Sequence, residues 1–288
     1  MMLDPECVRT LLAVVDEGTF DAAAKALHVT PSAVSQRIKL LEQRTGRVLL
    51  VRSKPAKLTD SGAVIARYGR QQALLDRDAR EALGLIEDPT PIPIAVNADS
   101  LATWFRRVVK ELAADEGLVL SVRRDDQDHT AELLRQGLVV AAVTSSPQPV
   151  QGCVVRPLGS IRYHAVASKR FERRWMSGGR PLHDAPVIVF DEKDDLQDRF
   201  CREVTGRDAS AHRRHHLPDG HVFEDAVVAG AGWALLTEHQ IAAHPRLVHL
   251  APEQPVDVLL HWQQWKLDSP PLARVADAVF RAAAAELR

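Results

Sequence analysis

Three cysteines in 288 residues, Cys7, Cys153 and Cys201, are too few and too widely spaced for a disulfide framework, and they match no zinc spacing. They read as buried structural thiols in a reducing cytosol. No stretch approaches the roughly 18 consecutive apolar residues of a membrane-spanning helix. The first segment, MMLDPECVRTLLAVVDEG, has no basic leader region and no small-residue cleavage site, and Arg9 and Asp16 interrupt its apolar run, so it does not read as a signal peptide. These absences predict a cytoplasmic location and no membrane association. Catalytic signatures are missing as well: there is no Gly-x-Ser-x-Gly turn, no phosphate-cradling glycine loop and no pair of catalytic carboxylates, which argues against an enzyme. His212, His215, His216 and His221 fit no common structural zinc pattern, and HRRHHL also reads as a strand with alternating faces. Neither a metal nor a cofactor is expected.

Overall charge is also missing, since the chain nets −1. What positive charge there is gathers in one place. Residues 30–57 hold seven Lys/Arg against one acid, Glu42. Nucleic-acid affinity needs a local basic patch of this kind rather than a basic protein. The patch coincides with two short helices. An alanine-rich segment runs from Phe20 to Leu27, His28-Val29 makes a tight connection, and Thr30-Pro31 opens a second helix. Thr30 suits the N-cap, where its hydroxyl accepts from free backbone N–H groups, and Pro31 suits the first helical position. Ala24, Leu27, Val34, Ile38 and Leu41 fall at spacings that bury the two helices against each other. Ser32, Ser35, Gln36 and Lys39 share the opposite face. The result is a helix-turn-helix whose second helix is of the kind that enters a DNA major groove. Thr30, Ser32, Ala33, Ser35 and Gln36 form the candidate reading face, while Arg37 and Lys39 are positioned to neutralise phosphates. Arg47–Val51 reads as a short strand and Arg52–Lys57 as a basic turn leading back to Leu58. That wing would carry Arg52, Lys54 and Lys57 to the DNA backbone or minor groove. The expected partner is double-stranded DNA.

A helix at Pro5–Asp16 precedes this unit and a long helix over 60–87 follows it. In the long helix Ile65, Tyr68, Gln72, Leu75, Ala79, Ala82 and Ile86 recur at alternating steps of three and four, a heptad seam. It predicts self-association as a homodimer or homotetramer, the alternative being packing on the chain's own C-terminal part. EDPTPIP, residues 87–93, then breaks the helix. From Ile92 onward strands alternate with helices: IPIAVN, Ser100–Ala114, Val119–Arg123, Thr130–Gln136 and LVVAAVT, then APVIVF, Leu196–Thr205, HRRHHL, Val222–Ala229 and WALLT. Ser160–Ser168 and Pro255–Trp265 read as strands crossing between the two clusters, and Pro271–Leu287 as a closing amphipathic helix. Two α/β lobes joined by two crossovers make a cleft suited to a small ligand.

Phe20, Ala23-Ala24, Leu27, Pro31-Ser32-Ala33-Val34-Ser35, Ile38, Leu41-Glu42, Gly46, Leu49, Arg52 and Leu58-Thr59-Gly62 together resemble the LysR-type transcriptional regulators, over essentially the whole chain. Further stretches resemble the ArgP/LysG branch, which senses L-lysine, L-arginine or sometimes L-histidine and activates an amino-acid exporter. They are Asn97–Phe105, Asp125–His129, Ala142–Thr144, Leu196–Asp198 and Trp262–Ser269. One segment departs from the branch: where a Gly-Leu-Gly-Trp-Gly run ending in Pro-Glu is usual, this chain reads Gly230-Ala231-Gly232-Trp233-Ala234-Leu235-Leu236-Thr237-Glu238. The preceding Leu217–Gly220 also differs. The resemblance implies an N-terminal all-α winged helix-turn-helix at 1–59 and a linker helix at 60–90. A C-terminal α/β two-lobed effector domain of the type 2 periplasmic-binding-protein kind would follow at 91–288, with lobe I near 91–163 and 267–288 and lobe II near 164–266. The implied role adds RNA polymerase as a candidate partner.

Within the cleft, a basic amino acid needs donors for its carboxylate and acceptors for its cations. Ser100, Leu101 and Thr103, at the start of a helix after the first strand, are candidates for the carboxylate. Asp125 and Asp126 end the second strand, where open α/β sheets place ligands, and Thr144-Ser145 end the third. Asp194 and Asp195 would face them from the other lobe. Two other classes stay open: a regulator with a non-basic small-molecule effector, and an effector-independent DNA-architectural or replication-inhibiting protein.

Overall fold

The computed structural model describes residues 3–85, 91–124, 130–209 and 212–288. Its first unit is helical. Helix α1 (Pro5–Asp16), α2 (Phe20–Ala26) and α3 (Pro31–Thr45) close around Leu11, Val14, Ala23, Val34, Ile38 and Leu41, all buried. Each helix starts on a side-chain cap: Asp4, Thr19 and Thr30 accept backbone N–H groups from Glu6, Ala22 and Ala33. Between α2 and α3 the chain reverses through His28, whose φ of 53° is left-handed. Gly46 ends α3 in the same conformation at φ 65°, which costs glycine little. Strands β1 (Leu50–Val51) and β2 (Lys57–Leu58) pair antiparallel and form the wing.

Helix α4 (Asp60–Ala82) is capped by Thr59, whose hydroxyl accepts from Gly62 N–H at 3.0 Å and donates to Val48 O at 2.7 Å. Two glycines let it lie close to the first unit. A Cβ on Gly62 would stand 1.9 Å from Leu49 O, and one on Gly69 would stand 2.4 Å from Val8 Cγ1. The helix stops at Ala82, short of the expected 87, because Gly84 turns left-handed (φ 68°) and Leu85 N–H closes back on Arg80 O. The heptad residues therefore do not form one uniform stripe. Ile65 packs into the helix-turn-helix core and Tyr68 is half-buried, while Leu75, Ala79 and Ala82 are exposed. Ile86 lies outside the described residues. Leu74, one position from the expected seam, is buried in the core of the C-terminal unit.

In the C-terminal unit, β3 (Pro91–Val96) leads into α5 (Ala98–Ala102) and α6 (Phe105–Leu112), then β4 (Val119–Arg124), α7 (Thr130–Arg135) and β5 (Ala141–Thr144). Strands β3, β4 and β5 pair in parallel. The long strand β6 (Cys153–Ser168) follows, then α8 (Lys169–Trp175), β7 (Val187–Val189), α9 (Leu196–Thr205), β8 (Arg214–His216), α10 (Gly220–Ala229), β9 (Ala234–Thr237), α11 (Glu238–Ala243) and β10 (Leu247–His249). The second long strand, β11 (Val256–Trp265), and α12 (Pro270–Glu286) complete the chain. Strands β6 and β11 run antiparallel side by side, and β11 also pairs β5 while β6 pairs β9 and β10, so these two strands carry the sheet from one lobe to the other. Their register shifts at Leu260/His261, opposite Gly159 (φ 131°), where the sheet bends. The last residue is woven into this junction. Arg288 exchanges backbone hydrogen bonds with Ser160, and its guanidinium grips Glu238 at 2.8 Å.

The expected helix at Ser100–Ala114 is two helices. It breaks at Thr103, whose backbone (φ −116°, ψ −108°) is non-helical and whose hydroxyl donates back to Asp99 O at 2.6 Å. Strands β7 and β8 pair in parallel, so His215 and His216 lie in a sheet, as the strand reading of HRRHHL predicts. Among the described residues no group of three or more His, Cys, Asp or Glu is placed to hold a metal ion, and no helix is long and apolar enough to cross a membrane.

Candidate DNA-reading helix and interlobe cleft

On α3, Ser32, Gln36 and Lys39 are exposed, and Ala33 and Ser35 are half-buried along the same edge. Thr30, exposed at the N-cap, uses its hydroxyl on Ala33 N–H at 3.2 Å. Arg37 turns the other way and pairs with Glu6 of α1 at 2.8 Å, and Arg44 lies 3.5 Å from Asp4. Those two guanidinium groups tie α3 to α1 instead of extending the reading face. The wing is anchored by Ala56 N–H on Gly18 O at 2.8 Å, and Arg52 lies over the Phe20 ring, 5.6 Å from its centroid. Lys54 and Lys57 project into solvent. The arrangement offers a short polar helical face flanked by exposed cations, which suits a groove lined by base edges and bordered by phosphates.

Below it the lobes enclose a cleft of about 530 Å³. Its walls come from the β3–α5 junction, the end of β4, the middle of β6, the turn between β7 and α9, the start of α10, and α11. Among the described residues acidic groups dominate: Asp99, Asp191, Asp194, Asp219 and Glu224 line it, against the single guanidinium of Arg124 and the imidazole of His221. Tyr163 OH donates to Asp99 Oδ2 at 2.7 Å, linking the crossover strand to α5. Glu224 is held from two sides, by Gln240 Nε2 and His244 Nε2, each at 3.0 Å. Asp219 caps α10 through His221 and Val222 N–H, and these backbone donors, Val222 first, hold its carboxyl below the usual range.

Asp194 behaves oppositely. It accepts from Phe190 N–H at 2.9 Å and Leu196 N–H at 3.2 Å, and Gln197, with its amide turned to donate, lies 3.1 Å from both carboxylate oxygens. Burial nevertheless pushes its pKa up, with smaller contributions from the charges of Asp99 and Asp191. A buried carboxylate facing other carboxylates is stabilised by any cation that enters.

Of the residues expected in the effector site, Asp194 and Leu101 line this cleft. Ser100 lies inside α5, fully buried, with its Oγ making no hydrogen bond; the helix opens three residues earlier, at Asn97. Thr103 faces a different groove, of about 470 Å³, on the side of α6 bearing Arg106 and Lys110. Thr144 is buried and caps the following turn through Ser146 N–H at 3.1 Å, and Ser145 follows it; both lie outside the cleft lining. Asp195 points to solvent and pairs with Arg199 at 3.2 Å. Asp125 and Asp126 lie outside the described residues. Asn97, Asp99, Tyr163, Asp191, Glu224 and Gln240 line the cleft without having been singled out as ligands. Asp99 sits one residue from Ser100, and Asp219 before α10 is a visible cap, but nothing local marks Tyr163 or Gln240 as facing a cavity.

Comparison with known proteins agrees with this architecture. Residues 6–63 match the bacterial regulatory helix-turn-helix family of LysR type, and residues 91–284 match the LysR substrate-binding domain. The chain is 44% identical over 304 residues to the HTH-type transcriptional regulator LysG of Mycobacterium tuberculosis, covering 99% of this chain and 96% of that one. It is 42% identical over 292 residues to the lysine export transcriptional regulatory protein LysG of Corynebacterium glutamicum, covering 99% and 100%. Among solved structures, the crystal structure of ArgP from Mycobacterium tuberculosis superposes with a TM-score of 0.88 at 44% identity, over 100% of this chain and 99% of that one. Full-length LysG from Corynebacterium glutamicum with bound effector Arg superposes at 0.81 with 40% identity, over 99% of each. A basic helix-turn-helix, a long connecting helix and an acidic two-lobed cleft on one chain are thus the parts of a transcriptional regulator rather than an enzyme, and the chain belongs to the LysR family, in its ArgP/LysG branch.

Proposed function

We propose that this regulator binds a basic amino acid, L-lysine or L-arginine (or L-histidine), between its lobes, and that occupancy sets how it activates an amino-acid export gene. The observation that carries the reading is the charge of the cleft: among the described residues, five carboxylates line it against one guanidinium. An anionic ligand would meet repulsion there, and a neutral one would leave the raised Asp194 without relief. The names of the relatives, a lysine export regulator and a LysG with bound Arg, support the same class of ligand. The protein acts as a homodimer or homotetramer, with Leu75, Ala79 and Ala82 of α4, exposed on the single chain, covered by a second copy. Pairing of α4 fixes the distance between two α3 helices, and a ligand that favours one arrangement of the lobes shifts that distance.

Thermal unfolding of the full-length chain tests the ligand. A ligand at ~100 times its Kd stabilises the native state by about 2.7 kcal/mol. Millimolar L-lysine, L-arginine or L-histidine should raise the melting temperature while L-glutamate and L-leucine do not, and Asp194→Asn should remove most of the shift. The pH dependence has a definite sign. Asp194 has a raised pKa, so it takes up a proton as pH falls through that raised value, and its attraction for a cation is then lost. The ligand-induced shift should shrink on the acid side, above the pH at which ordinary carboxylates protonate. No shift with any of the three basic amino acids would contradict the reading.

A further inference from the structure

Charge alone makes the cleft a poor amino-acid receptor. Five carboxylates attract a diamine, with two positive charges and no negative one, more strongly than an amino acid carrying the same side chain. Resting on the basic-amino-acid reading above, we infer that Arg124 is the residue that reverses this preference: it binds the ligand's α-carboxylate and so excludes the decarboxylated amines.

Arg124 is the last residue of β4, beside β3 in the parallel part of the sheet, and it lines the cleft at the carboxyl ends of those strands. Open α/β sheets receive ligands at that edge. Its guanidinium lies over the Phe190 ring, 5.8 Å from the centroid, so a lobe I cation reaches a lobe II aromatic across the opening. A cation–π contact of this kind uses no N–H donor in a hydrogen bond, so the guanidinium keeps its fork for a two-point bond to a carboxylate. Among the described residues no acid stands within 4.0 Å of Arg124, whereas Arg162 and Arg288, in the other groove, are each locked onto a carboxylate, Asp257 and Glu238.

The neighbouring group has the complementary chemistry. Asn97 directly follows β3, the strand paired with Arg124's, lines the cleft and is buried, and its Oδ1 accepts no hydrogen bond. It is an acceptor for the α-ammonium beside a donor for the α-carboxylate. Asp194 and Glu224, on lobe II, are left for the distal cation. A diamine placed in this frame puts its second end against Arg124 with nothing to offer it, and like charges repel.

Calorimetric titration of the full-length protein separates the possibilities. The probes are L-lysine against cadaverine, L-arginine against agmatine, and L-lysinamide, which keeps both ammonium groups but has no carboxylate. The wild type should prefer each amino acid over its amine, and L-lysine over L-lysinamide, by at least about tenfold. Arg124→Gln should lose about 10- to 100-fold in amino-acid affinity, as expected for a hydrogen bond to a charged group, and the preference should vanish or invert. Arg124→Lys should recover part of it through charge without the fork. An Arg124→Gln protein that melts like the wild type and keeps the preference overturns the inference, and leaves the basic-amino-acid reading intact. So does a wild type that binds L-lysinamide as tightly as L-lysine, a result that needs no variant to fold. A wild type that binds no basic amino acid at all removes the broader reading, and this inference with it.

Discussion

The reading helix and the interlobe cleft are opposites in charge and in construction. Helix α3 presents Ser32, Gln36 and Lys39 from about two turns of helix, positioned by a cap, a proline and a buried stripe that all lie between Thr30 and Leu41. The cleft collects Asp99, Arg124, Tyr163, Asp194, Glu224 and Gln240 from six separate elements and loops spread over more than a hundred residues. The first is a surface that exists as soon as a small helical unit folds. The second exists only when two lobes stand at a particular angle, so its shape can respond to a ligand while the helix face cannot. A regulator needs one part of each kind, and here they are joined by α4. Arg70 on that helix donates to Gln136 O at 2.8 Å in the C-terminal unit and pairs with Asp16 of α1, spanning both parts.

The contrast can be broken most forcefully at the core of the rigid part. Ile38 is 1% exposed, at the centre of the helix-turn-helix core. Ile38→Ala should destabilise that unit by about 2–5 kcal/mol and abolish DNA binding, while calorimetric binding of the amino acid stays near the wild-type value. Loss of both would mean that the cleft depends on the helical unit more than this account allows. A smaller effect sharpens the reading face itself. Gln36→Ala should cost about 1–3 kcal/mol at the cognate site and relax selectivity, as for a lost base contact. Lys54→Ala should weaken all sequences alike and reduce the salt-dependence slope by about 0.9. Equal behaviour of the two variants in a salt-titrated binding assay would contradict the division into reading helix and phosphate-binding wing.

Legibility followed the same division. The caps at Thr30, the turn at His28 and the stripe of Val34, Ile38 and Leu41 are local features, and the fold keeps all of them. The alternating strands and helices beyond Ile92 were also readable, because each carries its own periodicity. What escaped were properties of tertiary assembly. Arg37 is basic and on the right helix, yet Glu6 from α1 draws it to the other side. Ser100 and Thr103 are three residues apart, yet the backbone break at Thr103 turns it toward a separate groove. Asp194 and Asp195 are adjacent, yet one faces the cleft and the other pairs with Arg199 in solvent. Neighbours on a turn point in different directions, and only the surrounding lobes decide which of them meets a ligand.

The central claim is that occupancy of the acidic cleft changes what the basic helices do on DNA. Footprinting of the full-length protein on its own promoter region, with and without saturating L-lysine or L-arginine, tests it directly. The account predicts a protected region whose length or internal spacing changes with ligand, and no such change in the Asp194→Asn protein. An identical footprint in both conditions, extending over unrelated DNA with equal affinity, would contradict it and mark the protein as an effector-independent architectural binder.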